Sequence, residues 1–317
     1  MTTPISTEEA LSLLKTEGRE MYKLFFRANE ARLAHRGNTV NLCGIVNAKS
    51  GMCTEDCKFC AQSAHNEVDN VACYKLMDTD VIVQKGKESQ ANKASRFGIV
   101  TSGVAVADEA EVQSLETTIR TLCDTLEALP CASLGNISKE TLIRLRNAGL
   151  TRYHCNIETA QSFYSSICTT RPWEDAVDTI RVAKKVGLAV CCGGLVGLGE
   201  SLAQRVELLN QIRELDVDSV PLNFFNPVLG TKVEIDAPIA PLDCLKFIAV
   251  ARLMMPTKEI RVCGGREFNL GDLQSWSLIC GADGMMVGGY LTTRGRAVED
   301  DLKMISDAGF VVQWHHH

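Results

Sequence analysis

Residues 50–63 read SGMCTEDCKFCAQS and gather Cys53, Cys57 and Cys60 at C-x3-C-x2-C spacing, with the aromatic Phe59 just before the last thiol. Thiolates three and four residues apart on a loop can converge on one small object. A structural zinc ion would call for a fourth protein ligand to complete its tetrahedron. The next cysteine, Cys73, comes only after an acidic and polar run. A redox disulfide would use two of the three thiols. A four-iron cubane held by three thiolates leaves one iron without a protein ligand, open to a substrate or cofactor. That chemistry explains a count that stops at three.

The chain has 317 residues, 14 of them cysteine. Residues 1–34 have neither a basic leader nor an apolar stretch, so a secretory signal is not expected and a reducing, cytoplasmic setting is. Thiols and metal ligands are then likelier roles for these cysteines than disulfides. Most should be small buried hydrophobes, and Cys123, Cys168, Cys244 and Cys280, in apolar or helical surroundings, get that reading. A hydrophobic share of 45% with 23% charged residues is ordinary for a globular protein. The formal charge of −6 and the lack of a Lys/Arg block argue against a nucleic-acid surface. No apolar run approaches the ~20 residues of a membrane helix. The terminal HHH reads as the remnant of a purification tag.

The elements that must position the cysteine loop alternate regularly. After an N-terminal helical extension (1–37), short apolar runs rich in β-branched residues recur at 38–48, 96–102, 129–135, 151–158, 187–197, 218–225, 259–265 and 283–289. Helical patterns separate them, among them SKETLIRLRNAG and WEDAVDTIRVAKKVG, each closing on a glycine suited to the position after a helix end. Eight strands alternating with helices predict an α/β fold, a (β/α)8 TIM-type barrel over 38–312, ahead of a doubly wound open sheet. Residues 313–317 are left as a tail. The cysteine loop follows the first strand, at the end of a barrel where active sites are built.

With that placement, the loop resembles that of the radical S-adenosylmethionine enzymes. The resemblance implies a 4Fe-4S cluster on Cys53, Cys57 and Cys60 whose open iron chelates S-adenosyl-L-methionine. One electron then cleaves the sulfonium to a 5′-deoxyadenosyl radical. CTEDCKFCAQS, CCGGLVGLGES, SVPLNFFNPVLGT, IAVARLMMP and IRVCGGRE, in that order, are together similar to the biotin synthases over most of residues 40–310. That family joins two carbons of dethiobiotin through one sulfur drawn from a second, auxiliary iron–sulfur cluster. It also implies an electron donor such as flavodoxin or ferredoxin, and a homodimer. Other readings on the same barrel are a hydrogenase-maturase-like or methylornithine-synthase-like enzyme; a non-enzymatic iron–sulfur electron carrier is a further alternative.

The family's auxiliary site uses three cysteines and an arginine. Cys131, Cys191 and Arg261 match; the remaining cysteine, after an Arg-Phe pair, is replaced by Gly98, which has no side chain to offer iron. Strand side chains alternate faces, and barrel layers are filled from alternate strands. The other odd strands carry Cys43 and Cys263, the latter two residues beyond Arg261. An auxiliary cluster on Cys43, Cys131 and Cys191 is therefore expected, with Cys263 as a possible fourth ligand and a 4Fe type favoured over 2Fe-2S. The alternative is that Cys43 and Cys263 only line the core. Cys155 and Cys192 should face the helices.

Dethiobiotin's cyclic urea both donates and accepts hydrogen bonds, as an Asn amide does. YHCNIE places His154, Asn156 and Glu158 on one strand face, and Asn223 joins them from another strand. The resemblance assigns Asn156 and Glu158 to substrate and cofactor, although the family usually has Asn for His154 and Asp for Glu158. A strand Asn taken alone is more often structural. Leu195, Val196 and Gly197 match a strand end that lies along the adenosyl group through backbone contacts, and Arg171 matches an arginine near the cofactor.

Overall fold

A computed structural model describes residues 3–235 and 237–314; the HHH read as a tag remnant lies outside them. Alternation in TVNLCGIVNAK builds β1 (Thr39–Lys49), whose Val40, Leu42, Val46 and Ala48 are buried against helices while the intervening residues are only half-buried. The next strands are β2 (Arg96–Thr101), β3 (Leu129–Ser133), β4 (Arg152–His154), β5 (Ala189–Cys191) and β6 (Gly194–Val196). They are followed by β7 (Ser219–Phe224), β8 (Glu259–Val262), β9 (Gly284–Met286) and β10 (Val311–Gln313). All pairings between them are parallel, and β9 pairs back on β1, Cys43 opposite Met286, which closes the cylinder. The expected eight-stranded barrel is present.

Three details differ from the expectation. GLAVCCGGLVG is not one strand: β5 and β6 are separated at Cys192 and Gly193. A Cβ at Gly193 would lie 1.8 Å from the Pro221 carbonyl oxygen, so β7 passes too close for any larger residue. TRYHCNIE is regular only over residues 152–154. Beyond them Cys155 and Ile157 still donate to the Cys191 and Gly193 carbonyls, so the facing of side chains persists. Finally, β10 pairs with the start of β1, Gln313 opposite Asn41, so paired strand reaches one residue beyond the expected boundary at 312.

The helices at Lys139–Asn147 and Trp173–Lys185 end as expected, with Gly149 at φ +113° and Gly187 at φ +85° just beyond. The N-terminal extension is two helices, α1 (Thr7–Leu14) and α2 (Gly18–Arg36). Their buried faces, including Leu14, Leu24, Phe25 and Ala28, join the core around the barrel. Arg32 fastens α2 to the barrel end, donating to the carbonyls of Gly37, Thr39 and Ala282 at 2.7–2.9 Å. Next to it, Asp283 accepts from Arg36 at 2.6 Å, from Arg252 and from the Ile260 N–H at 2.8 Å.

Candidate active site

The loop with Cys53, Cys57 and Cys60 leaves β1 and is tied down from two sides. Cys53 donates to the Gln62 carbonyl and its own carbonyl accepts from Ala64, at 3.0 and 2.8 Å. The Asn66 amide nitrogen spans the turn, donating to the carbonyls of Cys57, Lys58 and Cys60 at 3.1, 3.3 and 2.8 Å. From across the barrel mouth, the N–H groups of Thr169 and Thr170 donate to Asp56 at 2.8 and 3.2 Å. Burial pushes the Asp56 carboxyl up, but these bonds hold it well below the usual carboxylate range. Phe59 packs with Tyr164, Ile167, Leu198 and Phe225 in an apolar cluster beside the loop. Among the described residues no three His, Cys, Asp or Glu side chains converge on a single metal ion.

One of the four cysteines read as ordinary core residues differs from that reading. Cys123 is exposed on its helix. Cys168 is buried as expected, in an apolar cluster against which Cys57 packs. The neighbouring Cys168 thiol, together with burial, raises Cys57, and Cys57 in turn lowers Cys168. Cys244 and Cys280 are core residues as expected.

Below the loop the lumen holds a cavity of about 380 Å³. Cys43, Cys131, Cys191 and Cys263 all line it, with Arg261 among them. Cys192 and Cys155 point away into the core. Burial pushes the Cys43 thiol up while the neighbouring Arg261 pulls it down. Cys263 is raised further by burial, with Arg261 again opposing. Gly98 also lines the cavity, where its Cβ would meet Ile45 Cγ2 at 3.1 Å.

His154, Asn156, Glu158 and Asn223 line the same cavity. Burial keeps His154 below its ordinary value, so it is neutral near pH 7. Burial raises Glu158, opposed by Arg171 and His154. Asn156 accepts from the Gly193 N–H at 3.1 Å and points its amide nitrogen at Glu158, 3.4 Å away. Asn223 is used at both ends by backbone, accepting from Gly264 at 2.9 Å and donating to Gly194 at 3.1 Å. That is the structural use named above as its alternative. Arg171 donates to the Tyr164 hydroxyl at 3.2 Å.

Leu195, Val196 and Gly197 are not among the cavity residues. Their backbone is also partly committed. The Leu195 N–H donates to the Glu158 main-chain carbonyl at 2.6 Å, the Val196 carbonyl accepts from the Phe225 N–H at 2.9 Å, and the Gly197 N–H donates to the Glu200 carboxylate at 2.8 Å.

Three charged residues of the lumen floor were missed: Arg96, Arg152 and Glu259. Arg96 lies 3.9 Å from the Cys131 sulfur, and Arg152 pairs with Glu259 at 3.1 Å. Glu259 also holds Arg261. The signal was available, since Arg152 and Glu259 stand two residues before His154 and Arg261 and so share their faces.

A thiol-bearing loop at the mouth of a closed parallel barrel, above a thiol-lined lumen, defines the class, and the Radical SAM superfamily matches residues 49–212. The Biotin and Thiamin Synthesis associated domain matches residues 221–311. The barrel is also that of a methylornithine synthase crystal structure, with a TM-score of 0.84 at 21% identity over 98% of this chain and 95% of the other. A FeFe-hydrogenase maturase from Carboxydothermus hydrogenoformans gives 0.85 at 17%, over 99% and 77%. At such identities these two share the fold alone. A biotin synthase of Geobacter metallireducens is 49% identical over 97% of this chain and 93% of its own, and one of Geotalea daltonii is 49% identical over the same shares. The chain belongs to the biotin synthase family and is a radical S-adenosylmethionine enzyme.

Proposed function

We propose that the chain converts dethiobiotin to biotin with an upper 4Fe-4S cluster on Cys53, Cys57 and Cys60 and a lower, auxiliary cluster on Cys43, Cys131 and Cys191. Cys263 is the fourth lower ligand, Arg261 stands beside the set, and the cluster is of the 4Fe type rather than 2Fe-2S. The observation that carries this reading is four thiols, delivered by four different strand segments, around one cavity with three guanidiniums. Soft thiolates are what iron–sulfur groups take, and buried cations offset the negative charge they bring. When bound, the upper cluster with S-adenosyl-L-methionine supplies the radical that takes hydrogen from substrate, and the lower cluster supplies sulfur.

The chain's own residues bind and orient. Asn156 and neutral His154 offer amide and imidazole groups to the urea ring, while Asn223 braces the backbone at Gly194 and Gly264 beside it. Glu158 and Arg171 form a charge pair for the amino and carboxylate ends of the cofactor, with Phe59 and residues 195–197 along its flank. The fourteen cysteines, all free, fit a reducing cytoplasm. The electron donor is a flavodoxin or ferredoxin, and the working unit is a homodimer. Among the described residues no helix is long and apolar enough to cross a membrane.

The test is anaerobic turnover of reconstituted protein with reductant, S-adenosyl-L-methionine and dethiobiotin. Biotin and 5′-deoxyadenosine in the same tube support the reading. Deoxyadenosine without biotin points to another radical reaction, and neither product points to an electron carrier.

A further inference from the structure

Arg152 opens β4 on the lumen face and is more than nine-tenths buried, with 8% of its surface exposed. It lines the cavity of the lower thiols. One terminal nitrogen lies 3.1 Å from Glu259, while its Nε–H has no partner. A buried donor left unsatisfied forfeits its hydration without replacement, and the loss is greater when the group is charged. A side chain that keeps such a donor against a cavity is suited to an acceptor that fills the cavity. Its backbone position favours sulfur as that acceptor: Arg152 is in register with Cys131, and His154, two residues on, with Cys191. The single carboxylate of Glu259 serves both Arg152 and Arg261, so the floor keeps excess positive charge for an anionic occupant.

We propose that Arg152 donates through Nε to a sulfur of the auxiliary iron–sulfur cluster, with Glu259 fixing the plane of its guanidinium. This rests on the reading of the floor as a cluster site. The effect is to stabilise the reduced, more negative cluster and to hold one sulfur in place, since hydrogen bonds to sulfur tune such potentials.

The test uses full-length protein carrying Cys53→Ala, Cys57→Ala and Cys60→Ala, so that only the lower site can load. It is labelled with 15N-arginine, reconstituted with iron and sulfide, reduced without air and examined by pulsed electron paramagnetic resonance and redox titration. The expected result is a set of 15N couplings to the cluster, from Arg96, Arg152 and Arg261, of which Arg152→Lys removes one component. The same variant shifts the one-electron equilibrium about tenfold toward the oxidised form, roughly 59 mV more negative. Arg152→Gln serves as the second variant and should lose the same coupling. Iron bound normally, with coupling and potential unchanged in both variants, makes Arg152 only the partner of Glu259 and overturns the proposal while the cluster reading stands. If the background protein takes up no iron, the cluster reading fails and this proposal with it.

Discussion

Asn66→Ala should loosen the upper cluster without touching a thiol. The Asn66 amide nitrogen reaches three carbonyls of the cysteine turn at 2.8–3.3 Å. It has two protons, so at most two strong bonds exist at once. At ~1 kcal/mol net each, reduced because the residue is only half-buried, the loop loses about 1–2 kcal/mol of its ordered state. That is roughly 5- to 30-fold in the population of turns poised to bind iron. The assay is anaerobic chelation: iron released to a colorimetric chelator, followed in parent and variant, with thermal unfolding as a control on the barrel. Release several-fold faster with a nearly unchanged melting temperature is expected. Equal rates would refute the claim that Asn66 organises the turn.

Other perturbations test other parts. Gly98→Cys places a fifth thiol on the cavity; its Cβ is a few tenths of an ångström tight against Ile45, which can yield into the cavity, so thermal unfolding should show a change within about 1 kcal/mol. A loss well beyond that would mean the lumen is more rigid than described. Asp283→Asn leaves Arg252 and Arg36 without their carboxylate in a buried site and should cost about 3–5 kcal/mol in urea unfolding; a cost under ~1 kcal/mol would contradict the network's role in fastening α2. In protein lacking the upper thiols, Cys43→Ala should lower bound iron while Cys192→Ala, facing the core, should not. His154 is held below its ordinary value in the folded state, so below about pH 6.5 the unfolded chain binds the extra proton and stability falls with pH. His154→Gln removes that dependence, and its melting temperature should gain on the parent's between pH 7 and 5.5; a constant gap would refute it.

The strand positions and the lumen-facing thiols were legible because period-two alternation survives wherever backbone pairing does. Cys43 and Cys131 sit mid-strand, where that rule is strongest, and Cys191 closes β5 still in register with His154. Arg152 and Glu259 were lost for the opposite reason: each begins a strand, where a charge ordinarily marks an end open to water. Cys168 is more than a hundred residues from Cys57 in sequence and comes into its cluster only because the segment after β4 returns to the barrel mouth. No local pattern encodes such a meeting. The break between β5 and β6 was written as paired glycines, but whether they mark a turn or a close approach depends on where β7 passes.

Iron and sulfide counted in the Cys53→Ala, Cys57→Ala, Cys60→Ala protein after anaerobic reconstitution test the two-cluster account most directly. The account predicts about four irons per chain retained through desalting, with cluster absorption. A protein that emerges without iron, though folded, would contradict it.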